Sequence, residues 1–175
     1  MGVIFVAGVH AVGKTTACAH AASTLGIAHY TASGLIKAEK ASAIPVQGKS
    51  IADVDGNQTL LIHGVEKARS RHQGRIILDG HFTLATLEGR IELIAMDVFR
   101  ALVVDGVVVY HDEPVAIATR LNQRDGETRR SEVVAEHQEA ELKHARMVAN
   151  ELRVPLKLLP AFDSDGLVAS IRQWV

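Results

Sequence analysis

The fold is decided by one stretch near the start of the chain, Val3-Ile4-Phe5-Val6-Ala7-Gly8-Val9-His10-Ala11-Val12-Gly13-Lys14-Thr15-Thr16. Its first five residues form a continuous β-branched and aromatic run, which is typical of a strand buried on both faces. Lys14 to Leu25 is rich in alanine and is followed by Gly26, as expected of a helix with glycine at its C-terminal end. The sequence therefore predicts a strand, a glycine-containing loop and a helix in direct succession.

The loop between this strand and helix fits the pattern G-x-x-x-x-G-K-T. Its glycines allow successive backbone N–H groups to approach and point at phosphate oxygens, and the helix N-terminus adds its positive dipole end. In this pattern Lys14 reaches the β- and γ-phosphates, and the Thr15 hydroxyl binds Mg²⁺. We therefore predict a P-loop that binds ATP and Mg²⁺ through Gly8, Val9, His10, Ala11, Val12, Gly13, Lys14, Thr15 and Thr16.

A P-loop also needs a carboxylate at the end of a neighbouring strand to hold Mg²⁺ or its water ligands. Two apolar runs end in such a residue, one at Asp79 and one at Asp105. Asp105-Gly106 is better explained as a turn from a helix into the next strand, because another apolar run follows at once. The second metal residue is therefore predicted to be Asp79.

The rest of the chain alternates between strand and helix patterns. Further strands are predicted at Ile27–Tyr30, Arg75–Asp79, Val107–Tyr110 and Val154–Leu159. Further helices are predicted at Ser33–Ser42, Asn57–Gln73, Ile91–Leu102, from Glu113-Pro114 onward, Ser131–Leu152 and Gly166–Trp174. Such alternation requires crossover connections and a parallel sheet. The predicted class is α/β, a three-layer P-loop NTPase fold with a five-stranded parallel sheet flanked by helices, in one domain over residues 1–175.

The composition of the chain indicates which binding partners and which cellular compartment to expect. The chain has 175 residues, of which 47% are hydrophobic and 4% aromatic, and its net charge is -1. A charge near zero gives no field that attracts a polyanion, so nucleic acid is not expected as a partner. No apolar run approaches the roughly 18 residues of a membrane span, and the first strand lacks a basic leader. The lone Cys18 suits a reducing compartment. We expect a cytoplasmic monomer or small homo-oligomer.

The P-loop, the triplet Asp79-Gly80-His81 and an arginine-rich segment before a long helix together resemble the nucleoside monophosphate kinases, particularly the archaeal-type adenylate kinases. The resemblance covers nearly the whole chain. It implies two mobile parts that close over the ligands. An acceptor-binding region would lie at about residues 31–73, and a short lid at about residues 123–130.

The resemblance also implies roles for single residues. Lys14 matches the phosphate-binding lysine, Thr15 the metal-binding threonine, and Asp79 the residue that orders the water shell of the metal. Arginines of the lid, which clamp phosphates and stack near adenine, fall at Arg120, Arg124, Arg129 and Arg130. The alternative for this cluster is a solvated helix end and loop, as charge runs usually are.

The acceptor side departs from the adenylate kinase pattern. Lys37 stands where an arginine of the acceptor region is expected, and His81 where an arginine often follows the Asp-Gly pair. Lysine is a point charge without the bidentate fork of arginine, so phosphate recognition would differ. Both residues are predicted to bind the acceptor, although His81 could instead position Asp79 or be purely structural. A metal site at His137, Glu141 and His144 is less favoured than a mixed helix face.

Three functions remain open at this point. The first is transfer of the γ-phosphoryl group of ATP to a nucleoside monophosphate, with adenine contacts by backbone near Ala161 and Phe162. The second is transfer to a hydroxyl-bearing small molecule, as in the similar shikimate and gluconate kinases. That reaction usually uses a carboxylate base after the second strand; none lies in residues 29–34, which leaves Asp53 or Asp55. The third is a switch or slow ATPase that docks partners through Ser131–Leu152.

Overall fold

The computed structural model describes residues 2–42, 54–86, 88–126 and 128–174, and only the backbone of residues 54 and 55. Its strands are β1 Val3–Ala7, β2 Ala28–Thr31, β3 Ile76–Asp79, β4 Thr83–Ala85, β5 Ile91–Leu93, β6 Val104–His111 and β7 Leu156–Pro160. Its helices are α1 Lys14–Leu25, α2 Ala32–Ser42, α3 Val54–Ser70, α4 Met96–Ala101, α5 Pro114–Asp125, α6 Ser131–Leu152 and α7 Ser164–Trp174.

Five strands form one sheet in the order β2-β3-β1-β6-β7, and every neighbouring pair is parallel. The central strand is β1, in which Phe5 lies beside Leu78 of β3 and Val107 of β6. All five of its residues are buried, which explains its unbroken apolar run. The P-loop thus follows the carboxyl end of the central strand β1. On one side β1 has β3 as its neighbour and on the other side β6, so the order of strands reverses here. Ligands of open α/β sheets bind at such a point.

Helices cover both faces of the sheet and give it two apolar layers. One layer contains Leu61 of α3, Phe99 of α4 and Val148 of α6. The other contains Ala17 of α1 and Ile171 of α7. These layers confirm the predicted three-layer α/β fold. No helix within the described ranges is both long and apolar enough to pass through a bilayer.

The prediction of a helix over Ile91–Leu102 is wrong in its first half. Residues 91–93 form β5, which pairs antiparallel with β4 through Thr83 and Leu93, and the helix is confined to α4. The apolar-polar-apolar order of Ile-Glu-Leu matches the period of a strand, but three residues are too few to show it. A turn stabilised by the bond from the Gly89 N–H to the Thr86 carbonyl completes the hairpin.

The prediction of a turn at Asp105-Gly106 is also wrong. The strand β6 begins at Val104, and Asp105 lies within it, where its carboxylate is 2.7 Å from Nε of Arg75. The turn comes earlier, at Val103, whose φ is 57°. A register irregularity against β1 at this point allows the strand to start before its continuous apolar run. Asp105 therefore lies within the sheet, near the amino-terminal end of β6, and this end of the strands is opposite the P-loop.

Candidate active site

The P-loop curves around the ammonium group of Lys14. Gly13 has a φ of 84° at the start of α1, a conformation that favours glycine. Lys14 is buried, and its Nζ donates hydrogen bonds to the carbonyl oxygens of Gly8, at 2.9 Å, and Val9, at 3.4 Å. Burial lowers the pKa of Lys14, while the carboxylates of Asp79 and Glu141 oppose this shift. The ammonium is thus held where phosphate oxygens would enter the loop.

The two predicted metal residues are in direct contact. The Thr15 hydroxyl donates to Oδ2 of Asp79 at 2.5 Å, joining the first turn of α1 to the end of β3. Asp79 is buried, and among the described residues its carboxylate is the one that hydrogen-bonds to Thr15. A hydroxyl and a carboxylate are the hard oxygen donors that Mg²⁺ prefers. This donor set fits a Mg²⁺ ion held by Thr15, with Asp79 binding the ion or its waters.

Replacement of Asp79 by asparagine tests this assignment. The amide keeps the size of the side chain but loses its charge, so we expect the apparent affinity for Mg²⁺ in nucleotide binding to fall about 10–100-fold. Titration of Mg²⁺ against a fixed concentration of a fluorescent ATP analogue measures the change. Asp97→Asn is the matched control because Asp97 is exposed on α4, where its carboxylate pairs with Arg100. An unchanged Mg²⁺ requirement in Asp79→Asn would remove Asp79 from the metal site.

Asp79 also belongs to a second group of atoms that could bind a metal. One atom each of Cys18, His29 and Asp79 lie within 4.8 Å of one another. Burial raises the pKa of the Cys18 thiol, and burial lowers the pKa of the His29 imidazole, so both are neutral near pH 7. A neutral thiol is a poor ligand for Mg²⁺. The oxygen pair of Thr15 and Asp79 is therefore the set that fits Mg²⁺.

An aromatic surface flanks the P-loop where the loop after β7 returns. The ring of Phe162 packs on Gly13 so closely that a Cβ there would lie 2.5 Å from the ring, and the Phe162 N–H donates to the carbonyl of Val12. The Arg120 guanidinium lies 5.0 Å from the centroid of the ring, donates to the carbonyl of Ala11 and pairs with Asp112. More than half of Phe162 is exposed. It offers a nucleotide base a flat face beside the phosphates, in the loop that the sequence predicts to contact adenine.

The other predicted lid arginines lie near the α5–α6 connection. Arg124 pairs with Asp125 at 2.6 Å, and Arg129 approaches the same carboxylate at 3.3 Å. Arg130 is exposed at the start of α6. Arg124 is close enough to the P-loop to contribute to the lowered pKa of His10. The structure thus places Arg124 and Arg129 near His10 of the P-loop, and the role of the three arginines as a lid stays a prediction.

Glu141 has a role that the sequence analysis did not predict. It is fully buried on α6 and accepts hydrogen bonds from the N–H groups of Phe82 and Thr83 and from the Thr83 hydroxyl, at 2.6–2.9 Å. The N–H of Gly8 lies 3.4 Å from the same carboxylate. One side chain therefore ties α6 to the loop after β3 and to the first residue of the P-loop.

The ionisation of Glu141 follows from these contacts. Burial alone would raise its pKa, but the hydrogen bond and charge of His81, with the donors of Thr83 and Phe82, bring the pKa below its usual value. The sequence did contain a pattern from which the burial of Glu141 could have been predicted. This residue lies on the same helix face as the apolar residues Val134 and Ala145. Its helix neighbours His137 and His144 bind Thr83 and the Ile94 carbonyl instead, so the three do not converge on a metal.

Two histidine rings lie at the junction between the P-loop and the loop after β3. The ring centroids of His10 and His81 are 4.7 Å apart, and Nδ1 of His81 is 3.6 Å from Glu141. The residue His10 as a whole is exposed, but its imidazole lies against the P-loop. Burial of this ring, together with the charges of His81 and Lys14, lowers the pKa of His10 to about 4. His10 is therefore neutral near pH 7 and adds no fixed charge to the loop.

This shift predicts a pH dependence of stability. The pKa of His10 falls from 6.5 in the unfolded chain to about 4 in the folded protein, so the unfolded chain binds more protons between these values. The free energy of unfolding should therefore decrease as the pH falls from 6.5 to 4. Urea unfolding at several pH values should show a shallower decrease for His10→Asn than for the wild type. Parallel curves for the two proteins would show that His10 titrates normally.

A partly open cavity of about 180 Å³ lies between α2, α3, α4 and the β4–β5 hairpin, and His81 in its wall is next to the P-loop residue His10. Its walls are mainly apolar, and its polar members are Ser33, Asn57, Gln58 and His81. No lysine, arginine or carboxylate lines it within the described part of the chain. Lys37 is exposed on α2 and outside the lining, whereas His81 is in it. Of the two carboxylates considered as a base, Asp53 and the side chain of Asp55 lie outside the described residues.

Comparison with known proteins agrees with this architecture. A solved shikimate kinase from Acinetobacter baumannii, in complex with shikimate, superposes with a TM-score of 0.59 at 16% identity over 99% of this chain and 92% of its own. A gluconokinase from Sinorhizobium meliloti gives 0.55 at 17% identity over 99% and 93%. A putative kinase from Chloroflexus aurantiacus gives 0.56 at 16% identity over 98% and 94%.

At these identities the solved structures establish the fold, which is that of small P-loop kinases. They do not single out the adenylate kinases, to which the sequence pattern first pointed. A search of curated proteins found no match to this sequence. A family model described as an AAA domain matches residues 7–139, which include the P-loop, Asp79 and the N-terminal part of α6. Because that match covers well over half of the 175 residues, the chain belongs to this AAA domain family.

Proposed function

We propose that the protein transfers the γ-phosphoryl group of ATP, with Mg²⁺, to a hydroxyl group of a small molecule. The observation that carries this proposal is the position of the cavity. It adjoins the P-loop through Phe5 of β1 and through His81, two residues beyond the metal residue Asp79. An acceptor in this cavity lies next to the phosphate end of a nucleotide in the P-loop. Proximity of this kind supplies much of the rate of a group transfer.

A hydroxyl acceptor fits the cavity better than the nucleoside monophosphate that the sequence favoured. A phosphate dianion needs cationic partners when it leaves water, since an unpaired buried charge is very costly. The described lining has none, and Lys37 is outside it. The solved structures that share the fold include kinases named for shikimate and gluconate, which are hydroxyl-bearing molecules. This supports the second of the three functions that the sequence left open.

In the reaction, the oxygen of the acceptor hydroxyl forms a bond to the γ-phosphorus and releases its proton to solvent water, while the bond to the bridging oxygen breaks and ADP leaves with that electron pair. Lys14 and the N-terminus of α1 stabilise the negative charge on the phosphate oxygens. Bound Mg²⁺ would supply further charge neutralisation, and Thr15 and Asp79 are the residues that would hold it. Such transfer passes through a loose transition state, so positioning and charge stabilisation account for most of the catalysis.

Steady-state formation of ADP tests this function. ATP and Mg²⁺ are supplied with a panel of uncharged alcohols, sugar acids and nucleoside monophosphates, each at the same concentration. The proposal expects stimulation by an alcohol and none by a monophosphate. Stimulation by one monophosphate alone would restore the adenylate kinase interpretation. Rapid hydrolysis that no acceptor stimulates would favour a nucleotide-dependent switch instead.

A further inference from the structure

We propose that the acceptor is an uncharged alcohol with an apolar body about one ring in size and a second hydroxyl or N–H group that contacts the first turns of α3. This inference rests on the proposed function, since it names the acceptor class of the same site. It excludes phosphomonoesters and also carboxylates, the class to which shikimate and gluconate belong, so the acceptor of this chain would differ from the molecules for which those structural neighbours are named.

The walls of the cavity select an apolar body. Phe5, Leu61 and Phe99 line it and are almost completely buried, and the rings of Phe5 and Phe99 meet edge to face at 5.4 Å. Apolar surface enters such a space favourably because both surfaces leave water. A carboxylate or phosphate would lose its hydration there without a partner charge. The apolar part of the wall therefore disfavours a ligand with a charged group.

The volume limits the size of the acceptor. At about 180 Å³ the cavity is slightly larger than an apolar protein cavity of about 150 Å³ that binds one benzene molecule. One six-membered ring with two small substituents is about the largest rigid body that such a space encloses. A whole nucleoside does not fit it.

Unpaired polar atoms mark the other side of the cavity. Oδ1 of Asn57 and Oε1 of Gln58 are buried and have no hydrogen-bond partner among the described residues. Buried polar atoms without partners are rare in proteins and indicate a missing ligand or water. A hydroxyl both donates and accepts, so it pairs with an amide in either orientation. The two amides thus favour a polar group on the ligand near α3.

The direction of the bound molecule follows from the position of His81. Its ring lines the cavity and lies 4.7 Å from the ring of His10 in the P-loop, whereas the two amides belong to α3. The hydroxyl that receives the phosphoryl group is therefore the one at the His81 end. The second polar group of the acceptor is at the α3 end, with the apolar body between them.

Two matched compounds test this inference on the full-length protein. In 1,2-benzenedimethanol, one ring carries two hydroxymethyl groups; in 2-(hydroxymethyl)benzoate, one of these is a carboxylate. Binding is measured by calorimetry with Mg²⁺ and a non-hydrolysable ATP analogue, and turnover is measured separately as ADP formation. We expect the diol to bind at least about tenfold more tightly than the benzoate, because the carboxylate loses hydration without a partner.

Two variants connect this difference to the cavity. Val98→Phe fills it and should abolish binding of the diol, whereas Val115→Phe adds the same bulk on the exposed surface of α5 and should not. Gln58→Lys places a cation in the lining and should reverse the preference, so that the benzoate binds more tightly than the diol. Nucleotide binding by each variant verifies that the protein is folded.

The outcomes separate this inference from the proposed function. If the diol binds with these preferences but no phosphate is transferred, the diol is the ligand class of the cavity and the kinase function falls. If a sugar acid is phosphorylated on a hydroxyl group and Val98→Phe does not affect this reaction, the kinase function stands and the acceptor class is overturned. Equal binding of the two compounds, or binding of neither, also overturns the acceptor class.

Discussion

Lys14→Met is expected to lower acceptor-dependent ADP formation by about 10²–10³-fold. The Lys14 ammonium is the only side-chain cation that the described structure places inside the curve of the P-loop, where it donates to the carbonyls of Gly8 and Val9. Methionine keeps most of the length and apolar character of the side chain but provides no charge to the transferring phosphoryl group. Because that charge is needed most in the transition state, kcat should fall far more than the affinity for ATP.

Steady-state kinetics with saturating acceptor measure this effect. Lys157→Met is the matched control, because Lys157 is exposed on the edge strand β7, and its removal should leave kcat unchanged. Nucleotide binding to the Lys14 variant, followed by fluorescence, separates lost catalysis from lost folding. A Lys14→Met protein that retains wild-type kcat would mean that the P-loop does not perform the reaction.

Glu141→Gln is expected to lower the free energy of unfolding by about 3 kcal/mol or more. The buried carboxylate accepts hydrogen bonds from two backbone N–H groups and from the Thr83 hydroxyl. An amide offers only one oxygen and presents its own NH₂ group to the remaining donors. At least one buried donor therefore loses its partner. The NH₂ group of the new glutamine also repels that donor, because both carry partial positive charge. Urea unfolding, monitored by circular dichroism, measures the change.

Glu139→Gln provides the control for this variant, because Glu139 is exposed on the same helix and its change should be within about 0.5 kcal/mol of zero. The loop after β3 should also lose hydrogen-exchange protection at Phe82 and Thr83 in the Glu141 variant. Equal stability of the Glu141→Gln and wild-type proteins would show that the buried carboxylate is not what holds this loop to α6.

The parts of the site that the sequence predicted depend on contiguous residues. The strand, loop and helix from Val3 to Leu25 carry their own signals in apolar runs and glycine positions, and the structure confirms them. Asp79 could be predicted because a residue that ends a buried strand must lie at the edge of the sheet where the P-loop also lies. Its contact with Thr15 then follows from the adjacency of β3 and β1.

The parts that were missed depend on contacts between distant residues. Glu141 is 133 residues from Gly8, and its burial is set by the packing of α6 over the loop after β3. The β4–β5 hairpin has only three residues in each strand, so local periodicity could not distinguish it from a helix. The uncharged lining of the cavity arises from α2, α3 and α4 together, which is why Lys37 was expected at the acceptor although its side chain is exposed.

The central claim is that this P-loop protein transfers phosphate to an alcohol in the adjoining cavity. The most direct measurement is ³¹P NMR of ATP, Mg²⁺ and 1,2-benzenedimethanol with the wild-type protein, with Lys14→Met in parallel. We predict a phosphomonoester resonance that grows in step with ADP and is absent with the variant. Growth of inorganic phosphate alone at an equal rate with and without the alcohol would contradict the claim.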